Sequence, residues 1–295
     1  MTEEATLGAE PAPAPDGYMA QYDGFEKDWI STSALSLLMT CGIAFRNRYI
    51  FRKPEPGSVR QSCGVAVHKG REHNLIQKVN SKIDIPVDEC TDAARDEINN
   101  RFDNSEIIVE PEYEGKSLLD ARGIAVDLSV EIARKDRLHF HPEIMPTGVE
   151  TTLAVRYDNL SRVIVGKVDV DEETEARDVI RDLKSGKRAF GQDKADQSMA
   201  LATYGMLKYA TTGRLPDEYL IDNVVAGKSG VKVNAYRTTR TLEQLQRQLN
   251  RFAAWLKVVD AGDFAPCNPE HWKCSEDWCG YWKQCPYGGA KLGRR

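Results

Sequence analysis

The 295-residue chain contains no run approaching eighteen consecutive apolar residues, so no segment reads as a membrane-spanning helix. Its opening stretch, MTEEATLGAEPAPAPDGYMAQYDG, lacks both the basic start and the apolar core of a secretory signal, and a cytoplasmic location is expected. A charge excess that would dictate a partner is also missing. The net charge is −5, and residues 1 to 30 hold seven acids against Lys27 alone, which leaves the remaining 265 residues at +1. The acidity therefore belongs to a tail, and a local basic patch for nucleic acid is not excluded. No G-x-x-x-x-G-K-[ST] phosphate loop and no internal repeat is present, which excludes helicase motors and solenoids. Seven cysteines, an odd number, argue against a disulfide framework.

What is present is ordinary in bulk, 41% hydrophobic and 29% charged, as in soluble globular proteins. Residues 1–28, rich in Ala, Pro, Glu and Gly, read as a disordered acidic tail. The segment STSALSLLMTCGIAFRNRYIF predicts a helix opening near Ser31 to Ser33, with Leu35, Leu38, Met39, Phe45 and Tyr49 as its apolar face. CGVAVHKGREHNLIQKVNSK predicts a second helix, carrying His68, and further helices follow near 88–102 and 115–138. The period then changes. GVETTLAVRY, SRVIVGKVDVD and RDVIRDLKS read as three strands, followed by a helix over about 194–211 and two more strands, EYLIDNVVA and VKVNAYRT. A last helix, TLEQLQRQLNRFAAWLKVVDAG, opens with the capping pattern Thr241 and Gln244. The order implies one α/β body with a small C-terminal appendage.

Chemistry-bearing residues gather in the strands. Alternation places Asp182 and Lys184 on one surface of their strand, and a hairpin with the preceding strand brings Asp169 toward Asp182. Paired carboxylates repel unless a hard divalent cation joins them, and an adjacent ammonium can orient water or steady charge on a phosphate. Glu150 precedes the hairpin and could reach the site from a neighbouring strand, but as an exposed strand residue it needs no such role and is left outside the expected set.

Gly166 to Asp169 followed by Asp182, Leu183 and Lys184 resembles the signature of the PD-(D/E)XK nucleases in their RecB-like form, and GVAVH is similar to that branch's helical histidine motif. The resemblance implies a restriction-endonuclease-like mixed β-sheet flanked by helices over residues 29–262. It further implies that His68, Asp169, Asp182 and the Leu183 carbonyl hold Mg2+ or Mn2+, while Lys184 serves the hydrolytic water. It implies an exonuclease acting on linear double-stranded or single-stranded DNA ends in recombination or repair. A stand-alone phage or prophage enzyme is the kin it suggests, working in the host cytoplasm beside a single-strand annealing protein. The family's Gln-x-x-x-Tyr motif is matched at Tyr204, but its glutamine position is Ala200; Gln197, Tyr204 and Lys208 would share a helical stripe. Lys187, Arg188 and Lys194 would lie where the DNA backbone arrives. A non-catalytic DNA-binding or scaffolding protein with the same fold is the alternative.

Cys267, Cys274, Cys279 and Cys285 fall within nineteen residues, in a tail spanning 263–295. RecB-like nucleases of the AddB type carry one cysteine before the nuclease core and three after it around a [4Fe-4S] cluster. On that likeness Cys41, Cys274, Cys279 and Cys285 are the ligands of a cysteine-rich iron-sulfur module. The four intervening residues between Cys274 and Cys279 depart from the usual two. A zinc site built on Cys267, Cys274, Cys279 and Cys285 is equally open to thiolate chemistry.

Overall fold

The computed structural model describes residues 28–187, 189, 191–227 and 230–288. The expected disordered tail lies outside these residues except for Asp28, whose carboxylate pairs with Arg156 at 2.9 Å and Arg162 at 3.3 Å. Arg188 also lies outside them. Among the described residues no helix is long and apolar enough to cross a membrane.

A short strand β1 (Trp29–Ser31) leads into α1 (Thr32–Thr40), α2 (Gly42–Phe45) and a π-turn over Arg46–Ile50. The sequence pattern predicts one continuous helix here, and the structure breaks it at Cys41. Cys41 is extended, and its Sγ accepts from Ala44 N at 3.4 Å. Just past the break the C-terminal segment crosses directly over Gly42, where a Cβ would stand 2.7 Å from the Ala265 carbonyl, so only glycine fits there.

A minor ladder of β2 (Gly57–Ser58) and β3 (Ile107–Ile108) flanks three long helices, α3 (Val59–Ser81), α4 (Val87–Asn104) and α5 (Leu118–His139). The strands β4 (Gly148–Val155), β5 (Val163–Glu173) and β6 (Asp178–Gly186) follow, then α6 (Gln192–Asp196), α7 (Met199–Thr212), β7 (Glu218–Gly227), β8 (Gly230–Thr238) and α8 (Leu242–Asp260). The helix expected over 194–211 is thus two, separated at Gln197 and Ser198, where the Ser198 hydroxyl caps α7. The capping box of α8 forms as the sequence indicates, with Thr241 N donating to Gln244 Oε1 at 2.9 Å.

The sheet is mixed. β5–β6 and β7–β8 are antiparallel, β6–β7 is parallel, and β4 runs antiparallel along β5. β1 pairs parallel with Val163 to Val165 of β5, and β6 pairs with Val170 to Glu173. Since β4 already occupies the other edge of β5 over both stretches, β1 and β6 share one edge. Between them residues 166–169 have no strand partner on that edge among the described residues, and the sheet forks there. α3 and α5 cover one face of the sheet, α7 the other, with α1 and α8 packed on α7.

A buried ionic network pins α3 to the sheet. Arg71 Nε donates to Asp136 Oδ2 at 3.0 Å and its Nη1 to Asp222 Oδ2 at 2.9 Å, while His141 Nε2 lies 2.8 Å from Asp136 Oδ2. Burial acts to raise the Asp136 carboxyl, but Arg71 and His141 outweigh it and hold the group well below the usual carboxylate range. Burial also depresses the His141 imidazole, more than Asp136 raises it. A histidine depressed in the fold stays neutral while its unfolded counterpart takes a proton below about pH 6.5, so stability is lost as pH falls through that value. We expect thermal melts at about pH 7.5 and about pH 5.5 to show this decline, and His141→Gln to flatten it. An unchanged slope in the variant would remove His141 as its source.

Candidate metal centre and nucleic-acid cleft

The fork in the sheet is where the carboxylates meet. Val170 faces Arg181 across β5 and β6, so Asp169 and Asp182 come next along the two strands as they separate. Asp169 Oδ2 accepts from the Leu183 backbone N–H at 2.9 Å, which locks its rotamer toward β6. From the α3 side His68 inserts its ring, with Nε2 3.0 Å from the Leu183 carbonyl oxygen and Nδ1 3.5 Å from Asp169 Oδ2. His68, Asp169 and the Leu183 carbonyl therefore converge, while Asp182 is near enough to feel the charges of Asp169 and His68 but stands outside the group of donor atoms gathered within 4.8 Å. Lys184 Nζ stands 2.6 Å from Asp182 Oδ2, an oxygen that receives no well-directed hydrogen bond although Asp182 is only 1% exposed.

Glu150 was not among the residues expected at the site, yet its carboxylate belongs there. Donor atoms of His68, Glu150 and Asp169 lie within 4.8 Å of one another. The β4–β5 register sets Val149 against Val170 and Thr151 against Val168, which places Glu150 across from Asp169. Glu150 adopts φ +53°, a left-handed conformation unusual for a non-glycine residue in a strand, which interrupts the β4–β5 pairing at that residue. The sequence signal that points to it is the hairpin register, legible once the turn over residues 156–162 is placed.

Electrostatics at the fork are those of carboxylates crowded together in a half-buried place. Burial raises the Asp182 carboxyl above its ordinary range, Lys184 opposes the rise and Asp169 adds to it. Glu150 is likewise raised, first by burial, against the opposing ion pair with Lys167 and with a further push from Asp169. For Lys184, burial disfavours the charged form, but Asp182 and Asp169 outweigh it and the ammonium is held. A divalent ion would relieve this repulsion, and hard oxygen donors with one imidazole suit magnesium or manganese.

A second acidic group, Asp171, Glu173 and Asp178, is filled by the buried Lys208, whose Nζ lies 2.6 Å from Asp178 and 3.0 Å from Glu173. Lys208 is therefore not part of a stripe facing the site.

From the fork opens a cleft of about 810 Å³, whose lining includes Lys167, Lys184, Lys194, Gln197, Ala200 and Tyr204. Its far wall is the first turn of α1, where Ser31 caps the helix by accepting from Ala34 N at 3.2 Å. Gln197 precedes α7 rather than sitting on it, so it reaches the cleft from the helix junction. Lys187 does not face this cleft: it pairs with Glu112 at 2.6 Å and lies over the Tyr113 ring.

Five half-buried thiols line a separate cavity of about 110 Å³: Cys41, Cys267, Cys274, Cys279 and Cys285. Burial, with Cys41 and Cys274 nearby, pushes the Cys267 thiol up to about 11, and burial does the same to Cys279. No three of these sulfurs lie within 4.8 Å of one another. The segment that carries four of them is tied to the body by Tyr281, whose hydroxyl donates to the Lys53 carbonyl at 2.6 Å. Of the other cysteines, Cys63 and Cys90 are buried.

A family model of the PD-(D/E)XK nuclease superfamily matches residues 30–286. The chain belongs to this superfamily. Its members are metal-dependent nucleases as a rule, and the mixed sheet, the flanking helices and the acidic fork of this PD-(D/E)XK protein agree with that class. No curated protein sequence matches the chain. Two solved structures resemble it in outline. SSO0001 is 12% identical with a TM-score of 0.39, over 89% of this chain and 88% of that one. Candida albicans Rai1 in complex with pU5 and Mn2+ is 8% identical with a TM-score of 0.25, over 89% and 87%. Likeness at this level carries no argument about the site.

The glycine of the Gly-x-x-Asp pattern has a packing reason. A Cβ at Gly166 would stand 2.7 Å from Leu207 Cδ1 and 3.2 Å from Tyr204 Cδ1, so α7 sits closer to β5 than any side chain allows. Gly166→Ala is expected to cost about 1–3 kcal/mol in urea unfolding. Gly64→Ala, whose Cβ would meet only Ser185 Oγ at 3.7 Å, is expected to be neutral or stabilising as a helix substitution. Equal losses in both variants would refute the close-packing account.

Proposed function

We propose that the protein is a RecB-like DNA exonuclease dependent on Mg2+ or Mn2+, working at DNA ends in recombination or repair. The convergence of His68, Glu150 and Asp169 within 4.8 Å, beside the Leu183 carbonyl and the Asp182–Lys184 pair, is the observation that carries this reading. These residues and the carbonyl would hold the ion. When bound, a divalent cation supplies an acidified water and neutralises charge on the scissile phosphate.

The remaining steps belong to side chains of this chain. Lys184 holds the water in line and meets the negative charge that grows on the phosphate. The Leu183 N–H keeps Asp169 turned toward the ion site, and His68 closes the side next to α3. Tyr204, half-buried over Gly166, walls the cleft and packs against the sugar and base of the strand. Lys194, at the cleft mouth, draws in the phosphate backbone.

The domain reading follows the same lines, with a nuclease body over 29–262 and a cysteine-rich module over 263–295. Within it, Cys41, Cys274, Cys279 and Cys285 are the proposed ligands of a [4Fe-4S] cluster that staples the two chain ends. The gathering of five thiols around one cavity supports a metal or cluster centre there. A phage or bacterial setting, a single-strand annealing partner and a cytoplasmic location complete the proposal.

Lys184→Ala is expected to lower cleavage of linear DNA in Mg2+ by at least about a thousandfold while DNA affinity in Ca2+ stays within about twofold. Retained cleavage would remove the catalytic assignment. Wild-type protein that binds DNA but cleaves neither linear nor circular substrate in Mg2+ or Mn2+ would establish the scaffolding alternative. Anaerobically purified protein is expected to be brown, with a broad band near roughly 400 nm from thiolate-ligated iron. Colourless protein containing one zinc per chain would reverse the cofactor assignment.

A further inference from the structure

Two lysines, not one, stand against the carboxylates of the fork. Lys184 pairs with Asp182 at 2.6 Å, as its place in the motif suggests. Lys167 forms an ion pair with Glu150 Oε2, and Glu150 is one of the three residues whose donor atoms gather at the cation site. Lys167 lies at a variable position of Gly-x-x-Asp, two residues before Asp169 and so on the same face of β5. With its side chain 25% exposed, it lines the cleft together with Lys184 and Lys194. Its ammonium thus has two possible partners, the Glu150 carboxylate behind it and whatever anion occupies the cleft in front.

We propose that Lys167 is a metal-released phosphate contact: it neutralises Glu150 in the resting protein and turns into the cleft to hold a DNA phosphate once Glu150 engages a divalent cation. The inference rests on the nuclease reading above and names how metal and substrate are coupled at that site. One carboxylate serves an ammonium and a dication in competition, and the dication wins on charge. The freed ammonium then lies beside Lys184, across from the first turn of α1, whose N–H groups also favour an anion. Metal binding and strand binding then reinforce each other, because each removes a competitor of the other.

The test uses the full-length protein with Lys167→Met and Lys167→Arg. Mn2+ is titrated into DNA-free protein, and a short single-stranded oligonucleotide is titrated in Ca2+, which permits binding without turnover. In Lys167→Met, Mn2+ affinity is expected to rise by roughly threefold or more as the competing ion pair is lost. Oligonucleotide affinity is expected to fall by roughly tenfold, and the salt dependence of that binding to drop by about 0.7 in slope. Lys167→Arg is expected to restore most of the strand affinity. Unchanged oligonucleotide affinity in Lys167→Met, or Mn2+ affinity that fails to rise, overturns the proposal.

Glu150→Gln guards against a folding defect at Lys167. It releases the lysine without metal, so metal-free protein should bind the oligonucleotide more tightly than wild type, and equal or weaker binding overturns the proposal. Wild-type protein that neither binds Mn2+ nor cleaves DNA sinks the nuclease reading itself. Wild type that does both, alongside an unresponsive Lys167→Met, sinks this inference alone.

Discussion

Carboxylates that must stand close together in a half-buried place are the constraint around which this molecule is arranged. Glu150, Asp169 and Asp182 come from three neighbouring strands, and in a medium of low polarity their mutual repulsion is costly. The fold answers with positive charge and donors held at short range: Lys167 on Glu150, Lys184 on Asp182, and the Leu183 N–H on Asp169. Each of these partners offsets carboxylate charge, as a divalent cation would.

The fork exists because β5 changes neighbours along one edge. β1 holds its beginning, β6 holds its end, and the stretch between them is left to side chains rather than to ladder hydrogen bonds. Gly166 lets α7 press against that stretch from one face. On the other face, α3 delivers His68, and one turn further on Arg71 is clamped by Asp136 and Asp222. Asp222 is the cross-strand partner of Leu183, so the buried network ties the histidine's helix to the strand whose carbonyl it meets. A rigid clamp of this kind keeps a long-range contact between residues 68 and 183 in register, whatever the chemistry it serves.

The C-terminal segment follows a different logic. It has almost no regular structure, and its packing depends on Gly42, on Tyr281 and on a cavity walled by five thiols. Phe264, Tyr281 and Cys279 join it to the main hydrophobic core, so burial of a few side chains, rather than a ladder or helix of its own, holds the segment in place. The break of α1 from α2 at Cys41 belongs to this arrangement, since it turns that thiol toward the cavity.

Local pattern was sufficient for much of this. The alternation in GKVDVD and DVIRDLKS specified strands with Asp169, Asp182 and Lys184 in fixed relation, because side-chain direction in a strand depends only on sequence parity. The capping pair Thr241 and Gln244 likewise announced the start of α8, since a cap is made within four residues. The continuous helix expected through Cys41 is broken where the chain meets the segment around Ala265, a neighbour more than two hundred residues away that local pattern does not reveal. Sequence pattern leaves Glu150 outside the site and does not single out Lys167 for a related reason: a residue's opposite number across a hairpin is set by the length of the turn, which parity alone does not give. Gln197 and Lys208 were assigned to one helical face that the capping of α7 at Ser198 divides. Sequence therefore determined the identity and local orientation of the chemical groups, and the tertiary structure decided which of them share a neighbourhood. Orientation is governed by backbone geometry within a few residues, while proximity is governed by packing between segments far apart in the chain.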